Sequence, residues 1–383
     1  MLSSKLPNIG TTIFTIMSKM ALDENAINLS QGFPGFGADP VLLELVGKYT
    51  REHFNQYAPM SGIPELREIL ASKTHLCQGY FPDPDSEVTI VSGATEAIFC
   101  ALTAVVEEED EVVVLEPAYD SYEPAILLNK GIPVYVPLNV GDFSVDWQKV
   151  KDAISSRTKV IIVNTPHNPS GYVWSASDIN QLADIIRDRD IYVVSDEVYE
   201  HISFDGKKHL SIGSLPELRE KSFVCGSFGK TFHVTGWKIG YCLAPKELSV
   251  EFRKVHQYVT FSTVTPIQYA LAAYLKVPDR YLSIPDFYQK KRDFFARGLN
   301  QTQLDFVPSS GSFFQLASYA HLSEISDREL AERMTRKLKV ACIPISVFYA
   351  DKRDDKIIRF CFAKEETELE IALERLKNLD SIL

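Results

Sequence analysis

The segment Ser227-Phe228-Gly229-Lys230-Thr231-Phe232, continued by Thr235-Gly236-Trp237-Lys238, decides our interpretation of the fold. It supplies two lysines and several hydroxyl groups, and strand-like apolar runs flank it at residues 223–225 and 239–243. A lysine between two buried strands is energetically costly unless a charge or a covalent partner meets it. The segment therefore has to be explained by the rest of the chain as well as by its own composition.

Three interpretations of Lys230 compete at this point. A solvated loop lysine is the ordinary explanation for a single lysine. A nucleotide-binding P-loop would need a glycine five positions before the Gly229-Lys230 pair, and Val224 stands there instead. The third interpretation is a lysine that forms a Schiff base with an aldehyde cofactor, while Ser227 and Lys238 hold a phosphate. Only this third interpretation makes predictions elsewhere in the chain.

The composition is that of an ordinary globular enzyme. The chain has 383 residues, which favours two domains, and 45% of them are hydrophobic and 24% charged. A net charge of −11 argues against nucleic acid as a partner, and no apolar run is long enough to cross a bilayer. The first residues carry no export signal, and the six cysteines lack metal-ligand spacing. We therefore expect a cytoplasmic protein with reduced thiols, no membrane partner and no metal.

Apolar strands alternate with helices from residue 88 to about residue 245. The strands lack the polar–apolar alternation of a half-exposed strand, and they are predicted at residues 88–91, 111–115, 134–136, 159–163 and 191–194. Such strands, separated by helices, predict a parallel sheet covered on both faces, with ligands beyond the carboxyl ends of the strands. The polar residues at these ends are Thr95, Tyr119, Asn168, Asp196 and Tyr199.

The turn Ser92-Gly93-Ala94-Thr95-Glu96 follows the first of these strands. Its small residues leave backbone N–H groups free at the start of the next helix, and such groups suit an anion. The alternative is an ordinary helix whose first turn is capped by the Thr95 side chain. The sequence leaves both interpretations open.

A smaller α+β unit follows the long helical stretch that begins near residue 247. Residues 313–316, 341–344 and 357–362 are strand-like, and a C-terminal helix carries an apolar stripe. Arg359 lies inside the last of these strands, so its guanidinium needs a carboxylate partner. That partner is either a protein side chain in a structural salt bridge or a bound ligand.

Taken together, these residues resemble one known pattern. Nearly the whole chain is similar to the class I aminotransferases of fold type I, which use pyridoxal 5'-phosphate. Within that family it resembles the methionine aminotransferases and the group of kynurenine aminotransferase and glutamine transaminase K. The motifs that carry the resemblance are residues 31–34, 55–57, 164–169, 195–199 and 227–231, Lys238 and Arg359, with residues 120–124 and 255–257 for the narrower groups.

The resemblance implies an α/β fold with a large cofactor domain, in which a mostly parallel, seven-stranded sheet lies between helices. It also implies a smaller α+β domain formed by both ends of the chain. We expect an N-terminal segment at residues 1–40 that joins the small domain, a large domain at residues 41–270 and the small domain at residues 271–383. The family pattern further implies a homodimer whose subunits share their active sites.

The resemblance also assigns contacts to the ring of the cofactor. Lys230 would join the cofactor covalently and then shuttle a proton to and from the substrate. Asp196 would keep the pyridine nitrogen protonated, so that the ring accepts electrons. Tyr199 and Asn168 would hydrogen-bond the ring oxygen, and Tyr119 would stack on the ring face.

The phosphate of the cofactor would have its own set of contacts. The resemblance assigns to it the amides of Ala94 and Thr95, the Ser227 hydroxyl, the Lys238 ammonium and Tyr57 of the partner subunit. Lys238 stands where many relatives carry arginine, so it supplies a charge but loses the bidentate fork.

The substrate contacts follow from the same resemblance. Arg359 would bind the substrate carboxylate through two parallel hydrogen bonds, assisted by Asn168 and the Gly32 amide. The residues expected around the substrate side chain are Phe14, Tyr57, Tyr119 and Phe261, the last from the partner subunit. No second arginine is obvious, so methionine, glutamine or an aromatic amino acid is expected rather than aspartate. Ser262 stands where kynurenine-type enzymes commonly have histidine, which weakens the case for kynurenine.

A transaminase that exchanges an amino group between an amino acid and a 2-oxo acid in a ping-pong cycle is the leading hypothesis. A cysteine-conjugate β-lyase would use the same residues, because both reactions begin with removal of the α-proton. A regulatory domain that merely keeps the fold would be expected to lack Lys230 or Asp196, and both are present.

Overall fold

The computed structural model describes residues 3–383 and alternates strands with helices along most of that range. Its strands are β1 (Ile27–Asn28), β2 (Val88–Val91), β3 (Glu111–Glu116), β4 (Ile132–Pro137), β5 (Thr158–Asn164), β6 (Tyr192–Asp196), β7 (Ser222–Ser227), β8 (Gly240–Leu243), β9 (Phe314–Ser318), β10 (Val340–Ala341), β11 (Ile343–Pro344) and β12 (Ile357–Cys361). Its helices are α1 (Ile13–Asp23), α2 (Pro40–Arg51), α3 (Pro64–Gln78), α4 (Ala94–Val105), α5 (Tyr122–Leu128), α6 (Trp147–Ala153), α7 (Ala176–Ile186), α8 (Pro216–Arg219), α9 (Phe228–Thr231), α10 (Lys246–Val259), α11 (Thr265–Tyr274), α12 (Asp279–Leu282), α13 (Ile284–Leu299), α14 (Asp327–Arg333) and α15 (Glu366–Leu376).

The central sheet of the described residues has seven strands in the order β2-β8-β7-β6-β5-β3-β4. Strands β3 to β7 pair in parallel, whereas β8 runs antiparallel to both of its neighbours, β2 and β7. The prediction of an α/β fold with a mostly parallel sheet between helices is therefore confirmed.

Helices cover both faces of this sheet, as the packing of the β5 side chains shows. Successive residues of a strand point to opposite faces. Val160 and Ile162 pack with residues of α4, α5 and α10 on one face, whereas Ile161 and Val163 pack with residues of α7 on the other. Because both sets of side chains are buried, the sequence of the strand is apolar throughout instead of alternating.

The two ends of the chain meet beside the central sheet. β1 pairs in parallel with β10, and the Cys361 amide donates a hydrogen bond of 2.8 Å to the Leu29 carbonyl. β12 is the middle strand of an antiparallel three-stranded sheet, between β11 and β9. The expected domain boundaries after residues 40 and 270 stay predictions.

One local expectation is wrong in detail, and one of two open alternatives is excluded. Residues 341–344 form two strands instead of one, because β10 pairs with β1 while β11 pairs with β12, and the chain crosses between the two sheets at Cys342. The N-cap of α4 is Gly93, at a φ of 83°, and no side chain caps this helix, so the Thr95 hydroxyl does not fill that role.

The cysteines and the helices bear on two further expectations. Within residues 3–383 all six cysteines are free; Cys77 is partly exposed and the others are buried. No helix of the described chain has the length and apolar character needed to span a membrane.

Candidate active site

A cavity of about 330 Å³ opens at the carboxyl ends of the central strands. Most of the predicted site residues line it: Phe14, Gly32, Ala94, Thr95, Tyr119, Asn168, Asp196, Tyr199, Ser227, Lys230, Lys238 and Arg359. These side chains come from positions far apart in the chain, and the parallel strands bring them together because their carboxyl ends share one edge of the sheet.

Lys230 lies in α9, a single helical turn that follows β7 directly. Its Nζ atom donates a hydrogen bond of 2.8 Å to the Gly32 carbonyl, and it stands 5.5 Å from the centre of the Phe313 ring. Burial lowers the pKa of this ammonium to about 8. At pH 7 about a tenth of the amine is therefore neutral, which is the form that a nucleophile or a general base requires.

Asp196 ends β6 on the floor of the cavity. Its Oδ2 atom accepts a hydrogen bond of 2.7 Å from the Tyr122 hydroxyl, and its Oδ1 atom accepts a longer one, of 3.3 Å, from the Val198 amide. Burial raises the pKa of this carboxyl to about 6 despite both hydrogen bonds. A carboxylate in such a place stabilises a positive charge brought next to it.

Asn164 holds two neighbouring strand ends in register. Its Oδ1 atom accepts a hydrogen bond of 2.7 Å from the Asn168 amide, while its Nδ2 atom donates one of 2.8 Å to the Asp196 carbonyl. Asn164 thus fixes the main chain of two site residues at once. Both Asn164 and Tyr122 were missed from the sequence; a polar residue that ends an apolar strand was the available signal for Asn164.

Arg359 carries a buried charge that no carboxylate of residues 3–383 pairs with. Its Nη1 atom donates a hydrogen bond of 2.7 Å to Asn168 Oδ1, and its Nη2 atom donates one of 3.0 Å to the Ser30 carbonyl. Its Nε atom is buried without a partner. The alternative of a structural salt bridge is therefore not what the structure contains, and the buried Nε atom is left free to donate a hydrogen bond.

Aromatic rings surround the Arg359 guanidinium. The ring centre of Phe314 is 3.8 Å from the guanidinium carbon, and those of Phe14 and Phe348 are both at 5.3 Å. Burial among these rings lowers the pKa of Arg359 to about 10, so the group stays charged at neutral pH. The sequence did not single out Phe314, because in an apolar strand it reads as an ordinary core residue.

The turn from β2 into α4 offers a set of anion donors. The Ala94 and Thr95 amides begin a helix that has no side-chain cap, and Ser227 and Lys238 line the same part of the cavity. A side chain on Gly93 would come within 3.5 Å of Lys238 Nζ, and Gly93 also needs its positive φ. Two amides, a hydroxyl and an ammonium thus converge where a phosphate could bind.

Phe14 reaches the cavity from helix α1, which Gln31 fastens beside Gly32. The Gln31 Nε2 atom donates hydrogen bonds to the Phe14 carbonyl, at 3.1 Å, and to the Ser18 hydroxyl. Gln31 lines the cavity as well, although the sequence did not assign it to the site. Its place directly before Gly32, in a motif that carried the resemblance, was the signal.

Tyr57 and Phe261 are the predicted site residues that do not line the cavity of their own chain. They lie together on the surface, with ring centres 5.2 Å apart and ring planes at 89°. Tyr57 is 84% exposed and Phe261 is 42% exposed. Two exposed aromatic residues in contact are a feature of surfaces that bind another molecule.

Comparison with known proteins gives a consistent result. Residues 24–376 match the family model described as aminotransferase class I and II. The chain is 49% identical over 377 residues to methionine aminotransferase of Escherichia coli (strain K12), with 98% of each chain covered. It is 34% identical over 394 residues to human kynurenine–oxoglutarate transaminase 1, with 94% of this chain and 93% of that protein covered.

Solved structures agree with these matches. The crystal structure of YbdL from Escherichia coli, for which a methionine aminotransferase function was identified, superposes with a TM-score of 0.97 at 48% identity, covering 99% of each chain. N-succinyldiaminopimelate aminotransferase from Mycobacterium tuberculosis superposes with a TM-score of 0.95 at 34% identity, covering 99% of this chain and 100% of that chain.

Proposed function

The chain belongs to the class I and II aminotransferase family, and from this premise we propose its cofactor, its substrates and its assembly. We propose that it binds pyridoxal 5'-phosphate in the cavity beside Lys230. We further propose that it moves the amino group of methionine, or of another neutral or aromatic amino acid, to a 2-oxo acid in a ping-pong cycle.

The observation that carries this proposal is the unpaired guanidinium of Arg359. A buried positive charge with one nitrogen left without a partner is unfavourable unless a ligand supplies the missing acceptors. A carboxylate supplies two acceptor oxygens in the geometry that a guanidinium matches. Every amino acid and every 2-oxo acid carries such a carboxylate, so this one residue would serve both halves of the cycle.

The residues around the cavity also fit the ring of the cofactor. When bound, pyridoxal 5'-phosphate supplies an electron-accepting ring that stabilises the α-carbon of the substrate after its proton has left. Lys230 would hold the cofactor covalently between cycles and would carry the α-proton on its Nζ atom during them. Asp196, held by Tyr122, would keep the ring nitrogen protonated. Tyr199 and Asn168 would bind the ring oxygen, and Tyr119 would cover one face of the ring.

The phosphate of the cofactor would bind at the turn from β2 into α4. The uncapped amides of Ala94 and Thr95, the Ser227 hydroxyl and the Lys238 ammonium support this assignment, because an anion is the ligand that such donors share. Lys238 would act as a point charge where a guanidinium would have formed two directed hydrogen bonds.

A neutral substrate side chain is supported by the charges around the cavity. Arg359 is the one arginine that lines it in the described chain, so the second carboxylate of a substrate such as aspartate would have no guanidinium partner. Phe14 and Tyr119 offer apolar and aromatic surface instead. The relative at 49% identity is a methionine aminotransferase, and relatives near 34% identity are kynurenine transaminases, so methionine is our first choice of amino donor.

A homodimer with shared active sites is supported by the exposed aromatic pair. Tyr57 and Phe261 are far more exposed than is usual for large aromatic side chains, and neither touches the cavity of its own chain. We propose that they complete the cavity of the partner subunit, Tyr57 at the phosphate and Phe261 at the substrate side chain.

A half-reaction screen tests the proposed function. Protein loaded with pyridoxal 5'-phosphate is mixed with one amino acid at a time, and the absorbance of the cofactor is followed. We expect methionine to react on the order of 100-fold more efficiently than aspartate, because a second carboxylate would be buried without a partner. Borohydride should fix the cofactor on Lys230, which peptide mass analysis would identify.

Three outcomes of this screen would contradict the proposed function. Protein that takes up no cofactor would remove the basis of the mechanism, and a preference for aspartate would overturn the neutral side-chain pocket. Release of pyruvate, ammonia and thiol from a cysteine conjugate without any 2-oxo acid would reassign the main activity to a β-lyase.

A further inference from the structure

His256 is a fully buried histidine of α10 that the proposed mechanism does not use. Its Nδ1 atom lies 2.5 Å from Glu96 Oε1, and its Nε2 atom lies 3.0 Å from the Met60 carbonyl. A carbonyl oxygen can only accept, so Nε2 carries a proton and donates a hydrogen bond to the Met60 carbonyl. The two ring nitrogens thus join two segments of the chain that are otherwise separate.

The first segment is the turn at residues 92–96, which we call the phosphate turn. Glu96 lies in the first helical turn of α4, and its Oε2 atom accepts a hydrogen bond from the Ser92 amide. This contact closes the turn that presents the Ala94 and Thr95 amides to the cavity. Because His256 binds the other oxygen of Glu96, it fixes the rotamer of the side chain that closes the turn.

The second segment is residues 55–63, which we call the Tyr57 loop. Besides the contact of Met60 with His256, Gln268 Oε1 accepts a hydrogen bond of 2.9 Å from the Ile63 amide. The Thr265 hydroxyl donates one of 2.6 Å to the Gln56 carbonyl. Side chains from α10 and α11 therefore hold this loop at Gln56, directly before Tyr57, and at Met60 and Ile63, after it.

His256 also determines where Phe261 stands. Its main-chain carbonyl accepts the amides of Thr260, at 3.0 Å, and Phe261, at 3.1 Å, where α10 ends and Phe261 takes a φ of 69°. Phe261 in turn contacts Tyr57 edge to face. One residue therefore anchors both exposed aromatic side chains through its ring and its backbone.

We propose that His256 is a positioning residue that links the phosphate turn of its own subunit to the Tyr57 and Phe261 pair offered to the partner subunit. The inference rests on the proposed cofactor site and homodimer. Its Nδ1 contact acts on the phosphate site of its own chain, and its Nε2 contact acts on the site of the neighbour. Binding of the cofactor phosphate in one subunit is thereby coupled to the shape of the surface that completes the other.

Two conservative substitutions separate the two contacts of the imidazole. In His256→Asn, the amide nitrogen falls near the position of Nδ1, so the contact with Glu96 is kept and that with Met60 is lost. In His256→Gln, the amide nitrogen reaches the position of Nε2, so the contact with Met60 is kept and that with Glu96 is lost. A residue that served only to fill the core would respond to both changes through stability alone.

The experiment uses hybrid dimers of two differently tagged full-length subunits. One subunit carries Lys230→Ala, so it cannot form the covalent link to pyridoxal 5'-phosphate, and the absorbance of the lysine-bound cofactor reports only the competent site. Each His256 variant is placed either on the competent subunit or on the Lys230→Ala subunit. Titration with pyridoxal 5'-phosphate gives the affinity of the single competent site in each arrangement, and thermal unfolding checks that each hybrid is folded.

We expect each variant to weaken cofactor binding from only one of the two placements, and the placement should differ between the variants. His256→Gln should weaken cofactor binding about tenfold when it is on the competent subunit, and His256→Asn should do so when it is on the other subunit, since each loses one buried hydrogen bond. The reverse placements should leave the affinity within about twofold of wild type. Pyridoxal without its phosphate should bind equally to all of these hybrids, because both contacts act on the phosphate.

The inference is overturned if folded hybrids show the same affinity whichever subunit carries the variant, or if neither variant changes it. Thr265→Val is the milder companion should the histidine variants fail to fold. It removes the hydroxyl that holds Gln56 and should weaken binding only from the Lys230→Ala subunit. A wild-type protein that is a monomer or binds no cofactor would count against the proposed function, whereas normal wild-type binding without the subunit split would count against this inference alone.

Discussion

Asp196 and Glu197 are consecutive residues at the end of β6, yet they face opposite kinds of surroundings. Asp196 faces the cavity, with one hydroxyl and one amide as partners, and burial raises the pKa of its carboxyl to about 6. Glu197 points to the rear, where it accepts hydrogen bonds from the Ser195 hydroxyl and the Ile212 amide, and it contacts His209 Nε2 at 2.8 Å. The rear carboxylate finds every partner it needs inside the protein.

The same contrast recurs one turn later, between Tyr199 and Glu200. Tyr199 lines the cavity, whereas Glu200 is buried behind it with Lys73 Nζ at 2.7 Å and the Tyr241 hydroxyl as a further donor. Burial alone would raise the pKa of Glu200, but the ammonium of Lys73 lowers that pKa to about 2. Behind the strand, the unfavourable burial of the Glu200 carboxylate is therefore offset by the charge of Lys73.

The comparison separates buried charges that protein groups match from cavity charges that no carboxylate of the described chain matches. The rear residues Glu197, Glu200 and Lys73 are matched by protein groups, so their removal should cost stability. The cavity residues Lys230 and Arg359 lack a carboxylate partner in the described chain, so their removal should cost binding or turnover instead. The same kind of substitution, made once in the cavity and once behind the strand, tests this distinction between binding and stability.

The largest effect is expected from two lysines, one in the cavity and one behind the strand. Lys230→Met should lower turnover by a factor on the order of 10³ or more, because it removes the covalent anchor and the proton carrier. It should cost the cofactor-free protein little stability, since the amine has no carboxylate partner and its hydrogen bond is to the Gly32 carbonyl. Stopped-flow half-reactions and chemical unfolding measure the two quantities.

Lys73→Met is the matched control for this change. It should lower the free energy of unfolding by about 3–5 kcal/mol, because it leaves Glu200 buried without its ion-pair partner, while the spectrum of the bound cofactor stays unchanged. A stable Lys73→Met protein, or a Lys230→Met protein that still turns over, would break the division between the two sides.

An intermediate effect is expected from two buried arginines. Arg359→Lys should weaken methionine binding in the half-reaction about 100-fold, because an ammonium cannot replace the fork that would grip a carboxylate. Arg292→Lys is the control, since Arg292 already forks onto both oxygens of Asp205, at 2.9 and 2.6 Å. We expect the control to bind methionine as wild type does, and equal losses in the two variants would contradict the assignment of Arg359.

The last expected effect is a pH dependence of cofactor uptake. Burial lowers the pKa of Lys230 to about 8, so below that value the amine of the cofactor-free protein is mostly protonated and cannot attack an aldehyde. The uptake rate should therefore rise about tenfold per pH unit below about pH 8 and level off above it. Rapid-mixing absorbance from about pH 6 to about pH 9 measures the profile, and the Lys73→Met protein should give the same midpoint. A rate independent of pH would show that Lys230 is not the group that titrates.

The sequence predicted the sheet well because strands buried on both faces leave an unmistakable apolar run. It also predicted that five residues meet in the cavity, since the carboxyl ends of parallel strands share one edge: Thr95, Tyr119, Asn168, Asp196 and Tyr199. The other cavity residues were expected from the family resemblance. It could not reveal that β8 is antiparallel, because the direction of a buried strand has no local signature.

Other features were beyond the sequence for different reasons. Tyr122 holds Asp196 by a contact across 74 positions of the chain, and although residues 120–124 carried part of the resemblance, nothing in them indicated this partner. The N-cap of α4 could not be assigned from the sequence, because Thr95 and the small residues before it both suited that place, and the structure has Gly93 there. Tyr57 and Phe261 have their proposed role in a second subunit, so neither the sequence nor one folded chain contains their surroundings.

The position of Arg359 near the end of the sequence has a consequence for the nascent chain. Lys230 leaves the ribosome 129 positions before Arg359 (359 − 230), so a nascent chain acquires its reactive amine long before the guanidinium. That guanidinium reaches its partners Ser30 and Asn168 only when β12 lies between β11 and β9. If Arg359 binds the substrate carboxylate as proposed, a chain that lacks β12 would carry the reactive amine without the group that holds amino acids.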